Sequence, residues 1–354
     1  MAYLAIDPGS TSTKVAVSIQ SEMIRGHMDH PRHQLDDYPG IPDQQPMRFQ
    51  AIVSWLKQNG LYKNSFEAVI ARGGLIRPVP GGVYNVNQAM KNDLIQGVSG
   101  HHASNLGGLL ALEFSEHYQC PALIADPVVV DEMSPLAKMS GLDGLERKSI
   151  FHALNQKAMA RRVAEKLGKP YKDLNMIVAH LGGGISVGAH EKGRVVDVND
   201  ALSGDGPFSP ERTGGLPVSG VADLISSGRY SPESIVKTAG GKGGVISYLG
   251  TSDIREVEKQ ARLKDPRSGQ VLSGMVYQIA KEIGGLAAVL KGRVDAVVIT
   301  GGLAHSSLIT EGIADMVNFI AQVFVEPGEQ ELEALVDAAR RVIEKREPIQ
   351  TYPA

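Results

Sequence analysis

The chain has 354 residues, of which 42% are hydrophobic and 21% are charged. This length exceeds the range over which a single hydrophobic core usually grows, so two domains are expected. The net charge of −3 gives no electrostatic basis for binding nucleic acid or an anionic membrane. The single cysteine, Cys120, excludes an intramolecular disulfide and a thiolate metal cluster, which favours a reducing, cytoplasmic location.

The sequence also argues against membrane insertion and export. No apolar run approaches the roughly 18 residues that a membrane span needs. Asp7 lies where a secretory signal would need its apolar core, so no export is expected. Forty glycines are the unusual feature of the composition, and many form Gly-Gly pairs at strand ends. That pattern suits a backbone that approaches phosphate groups closely.

The first part of the chain predicts an α/β domain. Apolar alternation between turn residues predicts an antiparallel meander of three strands, Tyr3–Asp7, Thr13–Ser18 and Met23–Met28. The Pro/Asp-rich segment Pro31–Pro46 is expected to be a loop. Helices are then predicted over Met47–Gln58, Asn87–Gln96 and Ala103–Tyr118, and strands over Phe66–Ala71 and Ala122–Ala125.

The rest of the chain predicts a second round of the same kind. Ser149 is expected to cap a helix that reaches about Leu167, and Glu329–Lys345 is expected to be a terminal helix. The segment Asn199–Gly220 is a Gly/Pro/Ser loop longer than compact domains usually carry without a functional reason. Strands are predicted over Met176–Ala179, Ile185–Ala189, Arg194–Val198 and Ala296–Thr300.

Two pairs of segments repeat in the same order. Two turns rich in small residues each follow an apolar strand. They are Asp7-Pro-Gly-Ser-Thr-Ser-Thr-Lys14 and His180-Leu-Gly-Gly-Gly-Ile-Ser-Val187. The segments Glu67–Gly74 and Asp295–Gly302 each carry an apolar strand that ends in Gly-Gly. This repetition predicts a duplicated α/β fold whose halves close on a nucleotide.

The repeated turns are candidate phosphate-binding loops, because clustered backbone N–H groups and hydroxyls form nests for anions. An ordinary hairpin and a strand-to-helix turn are the alternatives. A P-loop motif is missing from the sequence, and the Rossmann fingerprint is missing after the first strand. The candidate nucleotide contacts are Asp7, Gly9, Ser10, Thr11, Ser12 and Lys14 in the first turn, His180, Gly182, Gly183 and Gly184 in the second, and Gly301 and Gly302.

Five side chains are candidates for chemistry by their position. Arg72 ends a buried strand, and Arg212 lies in the long loop, where a cation can bind a migrating phosphoryl group or a carboxylate. Asp126 and His180 each follow a strand, and His152 is expected in the first turn of a helix. Solvated or salt-bridged arginines and structural histidines are the alternatives for these positions.

In their order and separation these segments resemble the butyrate kinase family, in the acetate kinase branch of the superfamily of sugar kinases, actin and chaperone ATPases. The similarity extends over essentially the whole chain. The matching segments are Ile6–Lys14, Asp126–Met133, Glu146–Lys157, His180–Val187 and Gly204–Pro217. Asp7, the Gly182-Gly183-Gly184 run and the segment after Gly301 differ from acetate kinase and agree with butyrate kinase.

The resemblance implies two domains of duplicated ββαβαβα topology, ribonuclease H-like and actin-like, with ATP in the interdomain cleft. It implies direct phosphoryl transfer between ATP and a carboxylate, with Arg72, Asp126, His152, His180 and Arg212 around the reacting groups. Mg²⁺ is expected to bridge phosphate oxygens and keep most of its waters, supported by Asp7 and by Glu331, which fits the family pattern better than Glu329.

The prediction is therefore a butyrate kinase with domains at residues 1–150 and 151–331. The C-terminal helix, about 332–354, is expected to pack on the first domain. Two alternatives stay open: a kinase of branched-chain acids such as isobutyrate, and an actin-like or chaperone-like ATP-driven binding protein. A homo-oligomer is also expected, through the second domain, because Leu272–Leu290 is more apolar than a solvated helix needs.

Overall fold

The computed structural model describes residues 1–20 and 22–353. The chain forms two compact units, one of Met1–Val130 with Gln330–Ala354 and one of Asp131–Glu329. The sequence analysis expected the boundary near residue 150, and the units divide at Val130. Ala354, the last residue of the expected terminal helix, lies outside the described residues.

The strands of the described residues occur in both units. They are β1 (Ala2–Pro8), β2 (Ser12–Ile19), β3 (Glu22–Asp29), β4 (Ala68–Arg72), β5 (Val83–Asn85), β6 (Ala122–Ala125), β7 (Asn175–Leu181), β8 (Ile185–Glu191), β9 (Arg194–Val198), β10 (Ala296–Gly301), β11 (Val323–Pro327) and β12 (Ile349–Thr351).

Helices connect and cover these strands, and short 3₁₀ turns lie at Pro42–Gln44, Tyr171–Asp173 and Gly302–His305. The α-helices are α1 (Arg32–Leu35), α2 (Gln45–Gln58), α3 (Gln88–Gln96), α4 (Asn105–Tyr118), α5 (Pro135–Lys138), α6 (Ala153–Lys166), α7 (Val218–Ser226), α8 (Pro232–Gly241), α9 (Val245–Leu249), α10 (Ile254–Arg262), α11 (Pro266–Val289), α12 (Ser307–Val317) and α13 (Glu331–Ile343).

The first unit is built on a seven-stranded sheet with the order β12-β5-β6-β4-β1-β2-β3. The pairs β1–β2 and β2–β3 are antiparallel, whereas β4 is parallel to both β1 and β6. Helices α4 and α13 pack on β1 and β4. Leu4, Ala5 and Ile6 are fully buried in β1, as expected of a central strand whose side chains lie in the core on both faces.

The second unit has a five-stranded sheet with the order β11-β10-β7-β8-β9. Here β7, β8 and β9 form the antiparallel meander, and β10 is parallel to β7 and β11. Helix α6 packs on β7 and β10, and α11 packs on β7 and β8. The strand interiors are again apolar, with Ile177, Val187 and Val297 fully buried.

The two sheets share one strand order. The series β3-β2-β1-β4-β6 in the first unit and β9-β8-β7-β10-β11 in the second each consist of a meander followed by two parallel strands. The repeated segments occupy equivalent places: the two turns follow β1 and β7, and the two Gly-Gly pairs follow or end β4 and β10. The predicted duplication of an α/β fold is therefore confirmed.

Helix α11 accounts for the apolar segment at Leu272–Leu290. Its buried side chains, Leu272, Met275, Ile279 and Ile283 among them, belong to the hydrophobic core of the second unit itself. The apolar surplus of this segment is thus used inside the unit, and the homo-oligomer remains a prediction. Across residues 1–20 and 22–353, no helix combines the length and apolar character needed to cross a membrane.

Three local predictions were wrong. The segment Pro31–Pro46 is not a simple loop, because it contains α1, a 3₁₀ turn and the start of α2. Proline is compatible with the first turn of a helix, which is where Pro42 and Pro46 lie. Ser149 does not cap α6; this helix begins at Ala153, and His152 is its N-cap residue. The backbone before His152 is held elsewhere, because the Ala201 N–H donates to the Ile150 carbonyl.

The third error concerns the C-terminus, where the helix does not extend to residue 354. Helix α13 ends at Ile343, and β12 then pairs in parallel with β5. Lys345 has a left-handed φ of 59°, which stops helical propagation. Pro348 also disfavours a helical conformation for Glu347.

Candidate active site

In the first unit, three candidate side chains lie at the carboxyl ends of neighbouring parallel strands. The register pairs Ile6 with Ala71 and Arg72 with Ala125. Asp7, Arg72 and Asp126 therefore stand at one edge of the sheet, where open α/β sheets usually bind ligands. The sequence predicted each residue separately, and the strand order brings the three together.

Asp7 and Arg72 form an ion pair, with 3.6 Å between Arg72 Nη1 and Asp7 Oδ1. Asp7 is buried, and among the described residues no hydrogen-bond donor reaches its Oδ1. Lys14 faces Asp7 across the β1–β2 pair. The end of β1 thus combines the buried carboxylate of Asp7 with two cationic side chains, Arg72 and Lys14. The cations suit an anionic ligand, and the carboxylate suits a divalent metal.

Asp126 is buried in a strained backbone conformation, with φ of 36°. Its Oδ1 accepts a hydrogen bond of 2.8 Å from the Gly82 N–H, which fixes the side chain. A Cβ at Gly73 would lie 2.5 Å from Pro127 Cβ, so only glycine lets the ends of β4 and β6 approach this closely. Strain maintained at such a place is a mark of functional positions.

The first turn is held by a residue that the sequence analysis did not single out, Arg48 of α2. Its side chain is fully buried, and its guanidinium donates to the carbonyls of Gly9, Ser12 and Ser10 at 2.8, 2.9 and 3.3 Å. Burial lowers the pKa of Arg48 to about 10. Because these carbonyls are bound from the inside, the hydroxyl-bearing side of the turn is left toward solvent, where Ser10 and Thr11 are exposed.

A polar cluster supports the same turn. Thr13 Oγ1 lies 3.1 Å from Arg48 Nη1 and 2.8 Å from His30 Nε2. The backbone N–H of His30 donates to the Thr11 carbonyl at 2.7 Å. Burial first, and the charge of Arg48 second, lower the pKa of His30 to about 4, so its imidazole is neutral at physiological pH.

In the second unit, His180 lies near the end of β7 and is followed by the glycine turn. The Gly182 N–H donates to the Gly184 carbonyl, and Ser209 Oγ donates to the Gly183 carbonyl at 2.6 Å. Gly183 is exposed, whereas Gly182 and Gly184 are buried. The turn is therefore fixed from the 199–217 loop, with its middle residue open to a ligand.

Arg212 packs directly on this turn. A Cβ at Gly184 would lie 1.6 Å from Arg212 Nη1, so a larger residue at this position would displace the guanidinium. Arg212 Nη1 donates to the Ala201 carbonyl, while its buried Nε has no hydrogen-bond partner within the described part of the chain. Burial lowers the pKa of Arg212, and Glu211 and Asp200 oppose this shift.

His152 and His180 form a stacked pair, with ring centroids 3.8 Å apart and planes 12° from parallel. His180 Nδ1 lies 2.8 Å from Asn155 Oδ1, and His152 Nδ1 lies 2.8 Å from Ser186 Oγ. As the N-cap residue of α6, His152 stands at the positive end of a helix dipole, which favours a nearby phosphate.

The Gly-Gly pair after β10 has two different environments. Gly301 has φ of 90°, and a Cβ there would lie 2.4 Å from the Leu181 carbonyl oxygen, so its glycine serves the packing of adjacent strands. An added Cβ at Gly302 would meet no described atom within 4 Å. Of the two candidates for nucleotide approach, Gly302 is the one with open space.

The described residues do not enclose a metal by themselves, since no three His, Cys, Asp or Glu side chains group as ligands within residues 1–20 and 22–353. A hard cation that takes most of its ligands from phosphate and water fits this donor set. Asp7 supplies a buried carboxylate oxygen, and Glu331 is buried at the start of α13, which packs on β1. Glu329 belongs to the second unit, where its Oε1 lies 3.7 Å from the position of a Gly182 Cβ.

The family model described as the acetokinase family matches residues 139–344, more than half of the chain. The chain belongs to the acetokinase family. This membership confirms the expectation of an ATP-dependent carboxylate kinase. The matched range contains His152, His180, Arg212 and the glycine turn, and α13 besides.

Solved structures show the same fold over nearly the whole length. Acetate kinase from Porphyromonas gingivalis is 20% identical, with a TM-score of 0.75 and coverage of 96% of this chain and 99% of its own. A propionate kinase from Francisella tularensis is 16% identical, with a TM-score of 0.71 and coverage of 94% and 98%. A ROK family protein from Streptococcus pneumoniae is 14% identical, with a TM-score of 0.51 and coverage of 98% of this chain and 100% of its own.

The sequence analysis missed three residues that support the candidate groups within their own units. Arg48, Ser186 and Ser209 support the candidate groups from inside the fold. Arg48 carried one usable signal, a charged residue on a helix whose neighbours Ile52 and Leu56 face the core at helical spacing. Ser186 and Ser209 are common residue types in small-residue segments, and only the tertiary contacts distinguish them.

Proposed function

We propose that this acetokinase family member is a butyrate kinase, which transfers the γ-phosphoryl group of ATP to butyrate. A carboxylate oxygen forms the new bond to phosphorus while the bond to the β–γ bridging oxygen breaks, giving butanoyl phosphate and ADP. The observation that carries the proposal is Arg212, a half-buried arginine that packs on the glycine turn and whose buried Nε has no hydrogen-bond partner among the described residues.

Each group then has a distinct part in the reaction. Arg212 stabilises the negative charge of the migrating phosphoryl group, because a preorganised cation in a dry site acts most strongly where charge develops. His152 donates a hydrogen bond to the same oxygens. Arg72 binds the substrate carboxylate through its planar fork, and Asp7 restrains Arg72 from 3.6 Å. Asp126 and His180 position these groups from buried sites.

The nucleotide contacts follow the two turns. The first turn offers Gly9, Ser10, Thr11, Ser12 and Lys14 to phosphate oxygens, and the second offers the backbone around Gly183. Mg²⁺ would neutralise charge on the phosphates when bound. Asp7 supports it from the first unit, and Glu331 and Glu329 are the two acidic candidates near the C-terminal part of the chain. The proposal includes a homo-oligomer, which a solution mass at micromolar concentration tests.

Two local features agree with the sequence pattern of butyrate kinase and differ from that of acetate kinase. Asp7 replaces the asparagine of acetate kinase and gives Arg72 an ionic partner. At Gly183 an added Cβ would lie 3.3 Å from Glu211 Oε2, so the asparagine of the acetate kinase motif would crowd this side chain. Both positions agree with the butyrate kinase pattern.

The test is a coupled assay of ADP release with acetate, propionate, butyrate, isobutyrate and isovalerate. We expect the highest kcat/KM with butyrate and lower values for the shorter acids, since one methylene in an apolar pocket contributes about 1–3 kcal/mol. A preference for isobutyrate or isovalerate would assign the enzyme to branched-chain acids. Turnover of none of these acids would refute the carboxylate kinase assignment as a whole.

A further inference from the structure

A series of hydrogen-bonded side chains connects two half-buried residues, His152 and Tyr171, through the interior of the second unit. His152 Nδ1 lies 2.8 Å from Ser186 Oγ, which lies 2.8 Å from Gln156 Nε2. Gln156 Oε1 lies 3.0 Å from His190 Nε2, and His190 Nδ1 lies 2.6 Å from the Tyr171 hydroxyl. Ser186, Gln156 and His190 are all fully buried.

The orientation of the Gln156 amide is fixed at one end. Gln156 Nε2 lies 3.0 Å from the backbone carbonyl of Ser186, which can only accept a hydrogen bond. The amide nitrogen must therefore face Ser186, and the amide oxygen must face His190. An added Cβ at Gly188 would lie 2.6 Å from Gln156 Oε1, so the glycine in β8 makes room for this arrangement.

The orientation of the Gln156 amide also fixes the proton of His190, next to Tyr171. Gln156 Oε1 accepts, so His190 carries its proton on Nε2 and presents a lone pair at Nδ1 to the Tyr171 hydroxyl. Burial first, and the charges of Lys157 and Arg161 second, hold the pKa of His190 well below its ordinary value. His190 is neutral, and its two ring nitrogens have fixed and different roles.

At the other end of the series, the hydrogen bonds of Ser186 determine which ring nitrogen of His152 carries the proton. Ser186 Oγ accepts one hydrogen bond from Gln156 Nε2 and a long one, 3.5 Å, from the backbone N–H of His152. Among the described residues, His152 Nδ1 is the acceptor left for the Ser186 hydroxyl proton. A hydroxyl proton buried without an acceptor would cost about 1–3 kcal/mol, so the Ser186 hydroxyl donates to His152 Nδ1.

We propose that Ser186, oriented by Gln156, is a positioning residue that keeps the proton of neutral His152 on Nε2. His152 then offers an N–H donor from Nε2 at the positive end of α6. This inference rests on the proposed function in one respect: the donor acts on an oxygen of the transferring phosphoryl group. The protonation of His152 itself can be measured without any substrate.

The experiment is ¹⁵N NMR of the histidine rings in the full-length protein at about pH 8, with the His152 signals identified by their loss in His152→Gln. We expect a protonated Nε2 and an unprotonated, hydrogen-bonded Nδ1. In Ser186→Ala the Nδ1 signal should move toward the position of a nitrogen without a hydrogen bond. Thr310→Val, which removes another buried hydroxyl of the second unit, should leave the His152 signals unchanged.

Kinetics supply the second measurement. Ser186→Ala should lower kcat about fivefold to tenfold, the effect of one neutral hydrogen bond, with little change in either KM. Tyr171→Phe removes only the outermost hydroxyl and should have a smaller effect of the same kind. A wild-type His152 protonated on Nδ1, or identical His152 spectra in wild type and Ser186→Ala, would overturn the proposal. Failure of every acid in the ADP assay would refute the function and leave the NMR result standing.

Discussion

The two ligand-side turns occupy equivalent places in two sheets of the same strand order, yet different devices hold them. In the first unit one fully buried cation, Arg48, binds three carbonyls of the turn from inside. In the second unit Ser209 binds one carbonyl, and Arg212 packs against Gly184. The duplicated strands therefore determine where a turn stands, whereas elements outside the common strand series determine how it is held.

This difference has a consequence for chemistry. Arg48 donates its hydrogen bonds to the carbonyls of the first turn, so the cations available to a ligand there are Arg72 and Lys14. Arg212 combines both tasks, because it packs on the turn and keeps its Nε without a protein partner in the described part of the chain. In the first unit, substitutions of Arg48 and Arg72 should therefore affect the stability of the turn and catalysis separately. In the second unit, a substitution of Arg212 should affect the stability of the turn and catalysis together.

The largest effect is expected from the ligand-side arginines. Arg212→Ala should lower kcat by roughly 100-fold to 1,000-fold with a smaller change in the KM for ATP, as for the loss of a preorganised charge stabiliser. Arg72→Ala should mainly raise the KM for butyrate. Lysine should rescue either site poorly, because a point charge lacks the planar fork. Steady-state kinetics at saturating ATP measure both, and near-normal kcat/KM in both folded alanine variants would contradict the mechanism.

Arg48→Met should destabilise the protein by about 3 kcal/mol or more, because three carbonyls of the first turn lose their donor. Arg48→Lys should retain part of the stability, since an ammonium reaches fewer of these oxygens. Urea unfolding measures the effect, with Arg32→Met, an exposed arginine of α1, as the matched control. Equal unfolding midpoints for Arg48→Met and Arg32→Met would show that the turn does not depend on Arg48.

His30 should make the stability of the first unit depend on pH. Its pKa is about 4 in the folded protein and near 6.5 in the unfolded chain, so the unfolded state binds more protons between these values. Stability should therefore fall as the pH falls from 6.5 to 4, with a contribution from His30 of about 3 kcal/mol. His30→Gln should remove this part of the pH dependence in urea unfolding, and the exposed His33→Gln should retain it.

The two candidate carboxylates for Mg²⁺ belong to different units, Glu331 to the first and Glu329 to the second. If Glu331 supports Mg²⁺, Glu331→Gln should raise the Mg²⁺ concentration for half-maximal activity roughly tenfold, as for other residues that orient the ligands of a metal. If Glu329 does so beside Gly182, the same change should follow Glu329→Gln instead. A Mg²⁺ titration at fixed ATP decides between them, and an unchanged requirement in both variants would exclude both residues.

The smallest effect compares one glycine from each turn. Gly184→Ala places a Cβ against Arg212 Nη1, whereas at Gly9 the nearest atom, the Ser12 carbonyl oxygen, is 3.4 Å away. We expect kcat/KM to fall about fivefold or more in Gly184→Ala through overpacking of at least about 1 kcal/mol, and to change little in Gly9→Ala. Equal effects in the two variants would mean that contact with Arg212 does not set the geometry of the second turn.

The sequence by itself determined the duplicated α/β fold, the strands β6 and β9 to the residue, and the places of Asp7, Arg72, His180 and Arg212. These features are local: apolar runs predict buried strands, small residues predict turns, and a repeated order predicts a repeated fold. The roles proposed for the individual residues stay predictions, because the motifs name positions and not contacts.

The tertiary structure decided which buried side chains support the candidate residues and turns. Arg48 binds residues 36 to 39 positions away in the chain, and Ser186 contacts Gln156 and His152 across 30 to 34 positions. The N-terminus of α6 and the strand β12 were also misjudged, because Ile150 and Ile349–Thr351 find their hydrogen bonds in distant segments. Hydrogen bonds between buried groups depend on which elements pack together, and local sequence patterns do not record that packing.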